Sequence, residues 1–169
     1  MMAITPTSRS LTVLVLAAGM SFRVCAAEAD AKEVFSVASA GGMTFSANRV
    51  VEDVSLVFMH FTPEGRASLI SELERTGLVA EVVGKGAAVR AELPVAALQV
   101  ARRAGADGLD EYDVSGTMKL QWSRCTSPGV GCTPVGLSKD AKVSGTVLQV
   151  TVSGRPAYRI SSIRYEGAR

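Results

Sequence analysis

The chain has 169 residues, one domain's worth of sequence or one domain behind a leader, with 18 Lys and Arg against 16 Asp and Glu. Both basic residues in excess, Arg9 and Arg23, fall within the first 27 positions, and the remainder carries 16 charges of each sign mixed along its length. That balance excludes an electrostatic drive toward nucleic acid or an anionic membrane surface.

The N-terminus reads as a secretory signal peptide over residues 1–27. A short polar segment with Arg9 as its one basic side chain precedes an apolar run over residues 11–20, Leu-Thr-Val-Leu-Val-Leu-Ala-Ala-Gly-Met. Val24-Cys25-Ala26-Ala27 then offers the small residues that a signal peptidase reads, with cleavage expected after Ala27 or Ala26. Arg9 and Arg23 bound a run shorter than the about 20 apolar residues of a membrane span, so no permanent anchor is expected. Phe22, Arg23 and Val24 lack the Leu and the small residue that precede a lipid-modified cysteine, which argues against lipidation of Cys25. The expected mature chain is a single domain over residues 28–169, periplasmic or secreted. Arginine outnumbers lysine 13 to 5, a bias typical of GC-rich bacterial genomes.

In the mature part, residues 33–37 and 43–47 read as short strands separated by Gly41-Gly42. Residues 54–61 read as a stronger strand. Val54, Leu56, Phe58 and His60 share one side and Ser55, Val57, Met59 and Phe61 the other, the pattern of a central strand covered twice. Thr62 and Pro63 supply the N-cap and first position of a helix whose buried stripe is Leu69, Ile70 and Leu73 and whose stop is Gly77. Residues 78–83 and 87–93 flank Gly84-Lys85-Gly86, a hairpin signal. Pro94 opens an expected second helix, with Leu98 and Ala101 inside and Gly105 at its end. From Glu111 the pattern is that of strands. Met118, Leu120 and Trp122 alternate with Thr117, Lys119 and Gln121, residues 143–152 follow, and a turn at residues 153–156 leads to a last strand over residues 158–165. The expected fold class is α+β: a mainly antiparallel sheet with two helices, and C-terminal β-hairpins tied by one disulfide. By element order alone, residues 54–105 resemble the small modules strung along periplasmic secretin and receptor proteins.

Cys125 and Cys132 are the cysteines left after cleavage, and an even pair in an oxidising compartment reads as a disulfide. Pro128-Gly129 between them is the preferred centre of a type II turn, which folds the flanking segments back and sets the sulfurs opposite each other. Closing that loop stabilises by about 2.5 kcal/mol on the chain-entropy scale. A metal site needs more ligands than a chain with one histidine offers, and a redox pair favours Cys-x-x-Cys at a helix start. Ser127, Pro128, Gly129 and Val130 form the candidate contact loop, because a crosslinked tip loses less entropy on docking than a free one.

Catalytic patterns are absent from the sequence. His60 is the only histidine, so a Ser-His-Asp or Cys-His arrangement must use it, and no Gly-x-Ser-x-Gly elbow supplies a nucleophile. At the end of an apolar strand it reads as an imidazole hydrogen-bonded at the rim of the core. Asp107, Asp110, Glu111 and Asp113 form the densest acidic cluster, but the EF-hand order is not met and Met118 stands where the bidentate Glu belongs. The cluster reads as a solvated turn. Gly84-Lys85-Gly86 and Gly41-Gly42 are too short to cradle a phosphate, and Trp122 alternates with core residues as a packing side chain. No catalytic, cofactor-binding or metal residue is singled out, and no cofactor is expected.

Three function classes follow. The first is a non-catalytic envelope protein that binds another envelope or secreted protein as adaptor, assembly factor or accessory subunit, with β edges available for strand addition. The second is a periplasmic inhibitor or immunity protein of a secreted enzyme, suited by small size and a disulfide-tied loop. The third is a small hydrolase with carboxylate or serine chemistry.

Overall fold

The computed structural model describes residues 9–105, 108–127 and 130–168, with side chains from Cys25 onward other than that of Val130. The elements run α1 (Arg9–Gly42), β1 (Phe45–Ser46), α2 (Val50–Ser55), α3 (Pro63–Thr76), α4 (Leu78–Gly84), β2 (Ala87–Glu92), β3 (Gln99–Ala104), β4 (Asp110–Ser127), β5 (Val130–Val152) and β6 (Arg155–Glu166). Single 3₁₀ turns lie at Phe58–His60 and Val95–Ala97. The chain is α+β with an antiparallel sheet and one disulfide, but four helices stand among the described residues where two were expected.

Local spacing explains each departure. Residues 33–37 are helical within α1, whose buried Ala31, Phe35 and Ala38 recur at helical intervals along one face. The segment expected as a central strand over residues 54–61 is the end of α2 followed by a 3₁₀ turn. Its buried members are Val54, Val57 and Phe61, at intervals of three and four, while Leu56 and Met59 stand exposed. A short all-apolar run does not distinguish helix from strand, and here packing chose the helical period. Residues 78–84, expected as one arm of a hairpin, form α4. Leu78 and Val82 are buried one turn apart, and Glu81 pairs with Lys85 at 2.6 Å on the outer side. The second helix expected after Pro94 is reduced to one 3₁₀ turn, and Gln99–Ala104 is strand β3. Ala-rich composition favours a helix there, but the segment has too few large apolar side chains for a buried stripe, and pairing with β4 takes its backbone donors and acceptors instead. The element order on which residues 54–105 resembled small periplasmic modules is therefore not formed.

Helix α3 keeps its local signals. Thr62 Oγ1 accepts from the Gly65 amide at 3.1 Å, Pro63 opens the first turn, and Gly77 ends it in the left-handed region at φ 63°. Leu69 and Leu73 are buried, whereas Ile70 is 45% exposed, so the stripe is narrower than expected.

The sheet has the order β1-β2-β4-β5-β6, with β3 also beside β4. β2 and β3 share one edge of β4, in succession: β2 pairs from Arg124 to Lys119 and β3 from Ser115 to Asp110. Strands β4 and β5 form the long central hairpin, and β6 flanks β5. Side chains of α1, α3 and α4 meet the buried sheet residues Tyr112, Met118, Leu120, Val143 and Ile160 in one hydrophobic core.

The outer edge of β6 is closed by α3. Thr62 N–H donates to the Ile160 carbonyl at 2.9 Å, Ser68 Oγ both donates to and accepts from Ile163 at 3.0 Å, and Glu72 Oε2 accepts from the Tyr165 amide at 2.8 Å. Arg75 donates to the Tyr165 carbonyl. Such side-chain ties satisfy a sheet edge that would otherwise pair with another chain. The close approach requires Gly65, where a Cβ would overlap the Ile160 carbonyl oxygen.

Candidate interaction surface

Beyond Arg124, where β2 begins its pairing, the β4–β5 hairpin continues as a two-stranded arm. Cys125 and Cys132 face each other across it and are joined by a disulfide. Of the contact loop expected at the tip, Ser127 pairs with Val130, and Pro128 and Gly129 lie outside the described residues. The β5 side chains over residues 131–140 are exposed throughout, so the arm stands clear of the core.

At the base of the arm the register breaks. Gln121 pairs with Ser138 and Ser123 with Pro134, so Val135, Gly136 and Leu137 bulge opposite Trp122. Gly136 takes φ 71°, a conformation that glycine adopts at little cost. The bulge turns two apolar side chains outward, Val135 at 38% and Leu137 at 68% exposure. Together with Trp122 they line an open groove of about 650 Å³ between the arm and α4. Lys85 Nζ lies 5.5 Å above the Trp122 ring in cation–π contact. Its partner Glu81 also lines the groove, as do Arg124 and Lys139.

The other residues singled out in the sequence serve the scaffold. His60 sits on the 3₁₀ turn and not at a strand end, half-buried, and its ring makes no hydrogen bond among the described residues. Partial burial, then the positive charge of Arg159, hold its pKa below the ordinary 6.5, which keeps it neutral near pH 7. Three of the clustered acids face the arginines of β3. Arg102 binds Asp110 at 2.7 Å, and Arg103 binds Glu111 at 2.9 Å and Asp113 at 3.3 Å. The antiparallel register of β3 on β4 puts these opposite charges side by side. Asp107 lies outside the described residues. The Tyr112 hydroxyl, 3.3 Å from Asp110, is pushed up to about 12, chiefly by burial and then by that carboxylate. Among the described residues, no group of three or more His, Cys, Asp or Glu is placed to hold a metal ion.

Sequence reasoning missed the bulge and the groove. One signal was available: Gly136 between two apolar residues inside a strand marks a bulge or a close approach. That Val135 and Leu137 face outward beside Trp122 depends on the register of two strands and on α4, which no local pattern contains.

No protein-family model matches the sequence, and no curated protein matches it either. Solved structures do share its fold. A periplasmic fragment of TraM superposes with a TM-score of 0.67 at 16% identity, covering 82% of this chain and 96% of that one. The periplasmic domain of DotI gives 0.65 at 15% identity, covering 80% and 92%. An IcmL-like type IV secretion system protein from Legionella pneumophila gives 0.59 at 12% identity, covering 80% and 89%. The fold is that of these domains. It is shared over nearly their whole length, at identities that speak for architecture alone.

Proposed function

We propose that this chain is an exported, non-catalytic protein-binding domain of the bacterial envelope, serving as an accessory or assembly subunit of a type IV-like secretion apparatus. The observation that carries the reading is the fold, common to domains described as periplasmic and, in the IcmL-like case, as a type IV secretion protein. The leader pattern over residues 1–27 and the disulfide of the arm support export. Three of the clustered acids pair with Arg102 and Arg103, and among the described residues the lone histidine has neither a nucleophile nor a carboxylate bonded to it. The exposed arm supplies surface for contact.

Affinity capture of the tagged full chain from crosslinked cells of its host tests the proposal. Co-purification of envelope proteins encoded together as a secretion apparatus is the expected result. Recovery of a single soluble secreted enzyme, inhibited by the chain, would replace the reading with that of an inhibitor or immunity protein. Recovery of no partner, with hydrolysis of a small substrate, would overturn it in favour of an enzyme.

A further inference from the structure

We infer that the groove at the base of the β4–β5 arm is a docking site for an extended or helical protein segment that presents an apolar side chain flanked by carboxylates. The inference rests on the protein-binding reading above and names the surface and the chemistry of the partner. Leu137 and Val135 are turned outward by a bulge that a Gly136 at φ 71° makes possible, next to the half-buried ring of Trp122. The bulge sets both of them opposite Trp122, where a regular ladder would place only one. Aliphatic and aromatic side chains in a groove of about 650 Å³ offer the partner an anchor pocket of the kind that dominates interface energies.

Charge decides the occupant. The rim carries Lys85, Arg124 and Lys139 against one acid, Glu81, and that acid is already held by Lys85 at 2.6 Å. Arg124 and Lys139 make no ion pair with any described residue. Arg102 and Arg103 on β3 are matched by the acids of β4, whereas the two basic side chains at the groove are left for a partner to match. Carboxylates of a partner would complete it, steering approach and fixing register, while the apolar anchor supplies affinity. The disulfide lies one residue beyond Arg124 and holds that strand of the groove in place.

The test is selection from a phage-displayed library of random short peptides on the full oxidised chain, with Leu137→Ser and Arg124→Glu variants as comparisons. Leu137 is 68% exposed, so serine there leaves the core intact, and Lys139→Glu is the second charge variant should Arg124→Glu unfold. Expected are peptides with Phe, Leu or Trp next to Asp or Glu, bound about tenfold more weakly by each variant and less tightly as salt rises. Peptides with basic or uncharged flanks, undiminished binding to the variants, or no enrichment would overturn the inference. So would self-association that Leu137→Ser abolishes, which would make a second copy the occupant, or Arg124-dependent binding to vesicles of anionic phospholipid. If the variants still capture the envelope partners of the wild type, this surface fails while the proposed function stands. If the wild type captures none, the proposed function fails by itself.

Discussion

The hydroxyl of Tyr165 reaches from β6 to the Ser39 carbonyl of α1 at 3.0 Å, with the ring fully buried between them. Burial raises its ionisation far above the ordinary tyrosine range, so it remains a donor across the working pH range. Tyr165→Phe keeps the ring packing and removes the donor, and is expected to cost about 1–2 kcal/mol in urea unfolding. His60 contributes in another way. Its pKa is lower in the folded chain than the ordinary 6.5, so the unfolded chain takes up the proton first as the solution is acidified. The stability linked to the neutral ring is present above about pH 6.5 and is lost as pH falls through the lower folded value. His60→Gln is expected to flatten the fall in Tm between about pH 7 and pH 5 while leaving partner binding unchanged. A folded variant without binding would give His60 a functional role.

The elements differ in how firmly they are held. β6 is bonded to β5 on one side and to the side chains of α3 on the other, and its core-facing residues are buried. The arm beyond Arg124 has only its own two strands and exposed side chains, and an isolated two-stranded ribbon is marginal in water. The disulfide therefore matters most locally. Its chain-entropy worth of about 2.5 kcal/mol acts on closure of the arm and not on the core. The Cys125→Ser/Cys132→Ser protein is expected to keep its main thermal transition within a few degrees. Amide exchange over residues 125–127 and 130–132 should rise by well over tenfold, as expected for a unit that opens by itself. A main transition lowered in proportion to the full staple would show that the arm and core unfold together.

At the scale of the whole molecule, α1 runs without a break from Arg9 to Gly42, across both bonds at which the leader is expected to be cut. The first of its fully buried side chains among the described ones is Ala31, followed by Phe35 and Ala38. Cleavage after Ala26 or Ala27 would leave those three on the body, and Ser36 would still donate to the Leu93 carbonyl. The exported protein is therefore expected to begin at Ala27 or Glu28 and to stay folded. Intact-mass measurement of exported material reads this directly, and a mass retaining residues 1–27 would refute it.

Helix α3 was legible because its signals are adjacent in sequence: Thr62 and Pro63 at one end, Gly77 at the other, and Leu69 and Leu73 between them. The alternation around Met118 and Leu120 likewise revealed β4, and the turn residues between Cys125 and Cys132 revealed a hairpin closed by a disulfide. Other segments had no such local anchor. Residues 78–84 became helix because Leu78 and Val82 found the core one turn apart, and residues 99–104 became strand because an open edge of β4 lay beside them. The groove at the arm depends on three elements at once, and so do the charges left unmatched at its rim. By itself the sequence determined what neighbouring residues can settle: caps, alternation, turn chemistry and the pairing of two close cysteines. Tertiary structure decided which backbone groups found distant partners and which apolar side chains did not, because both depend on surfaces assembled from residues far apart in the chain.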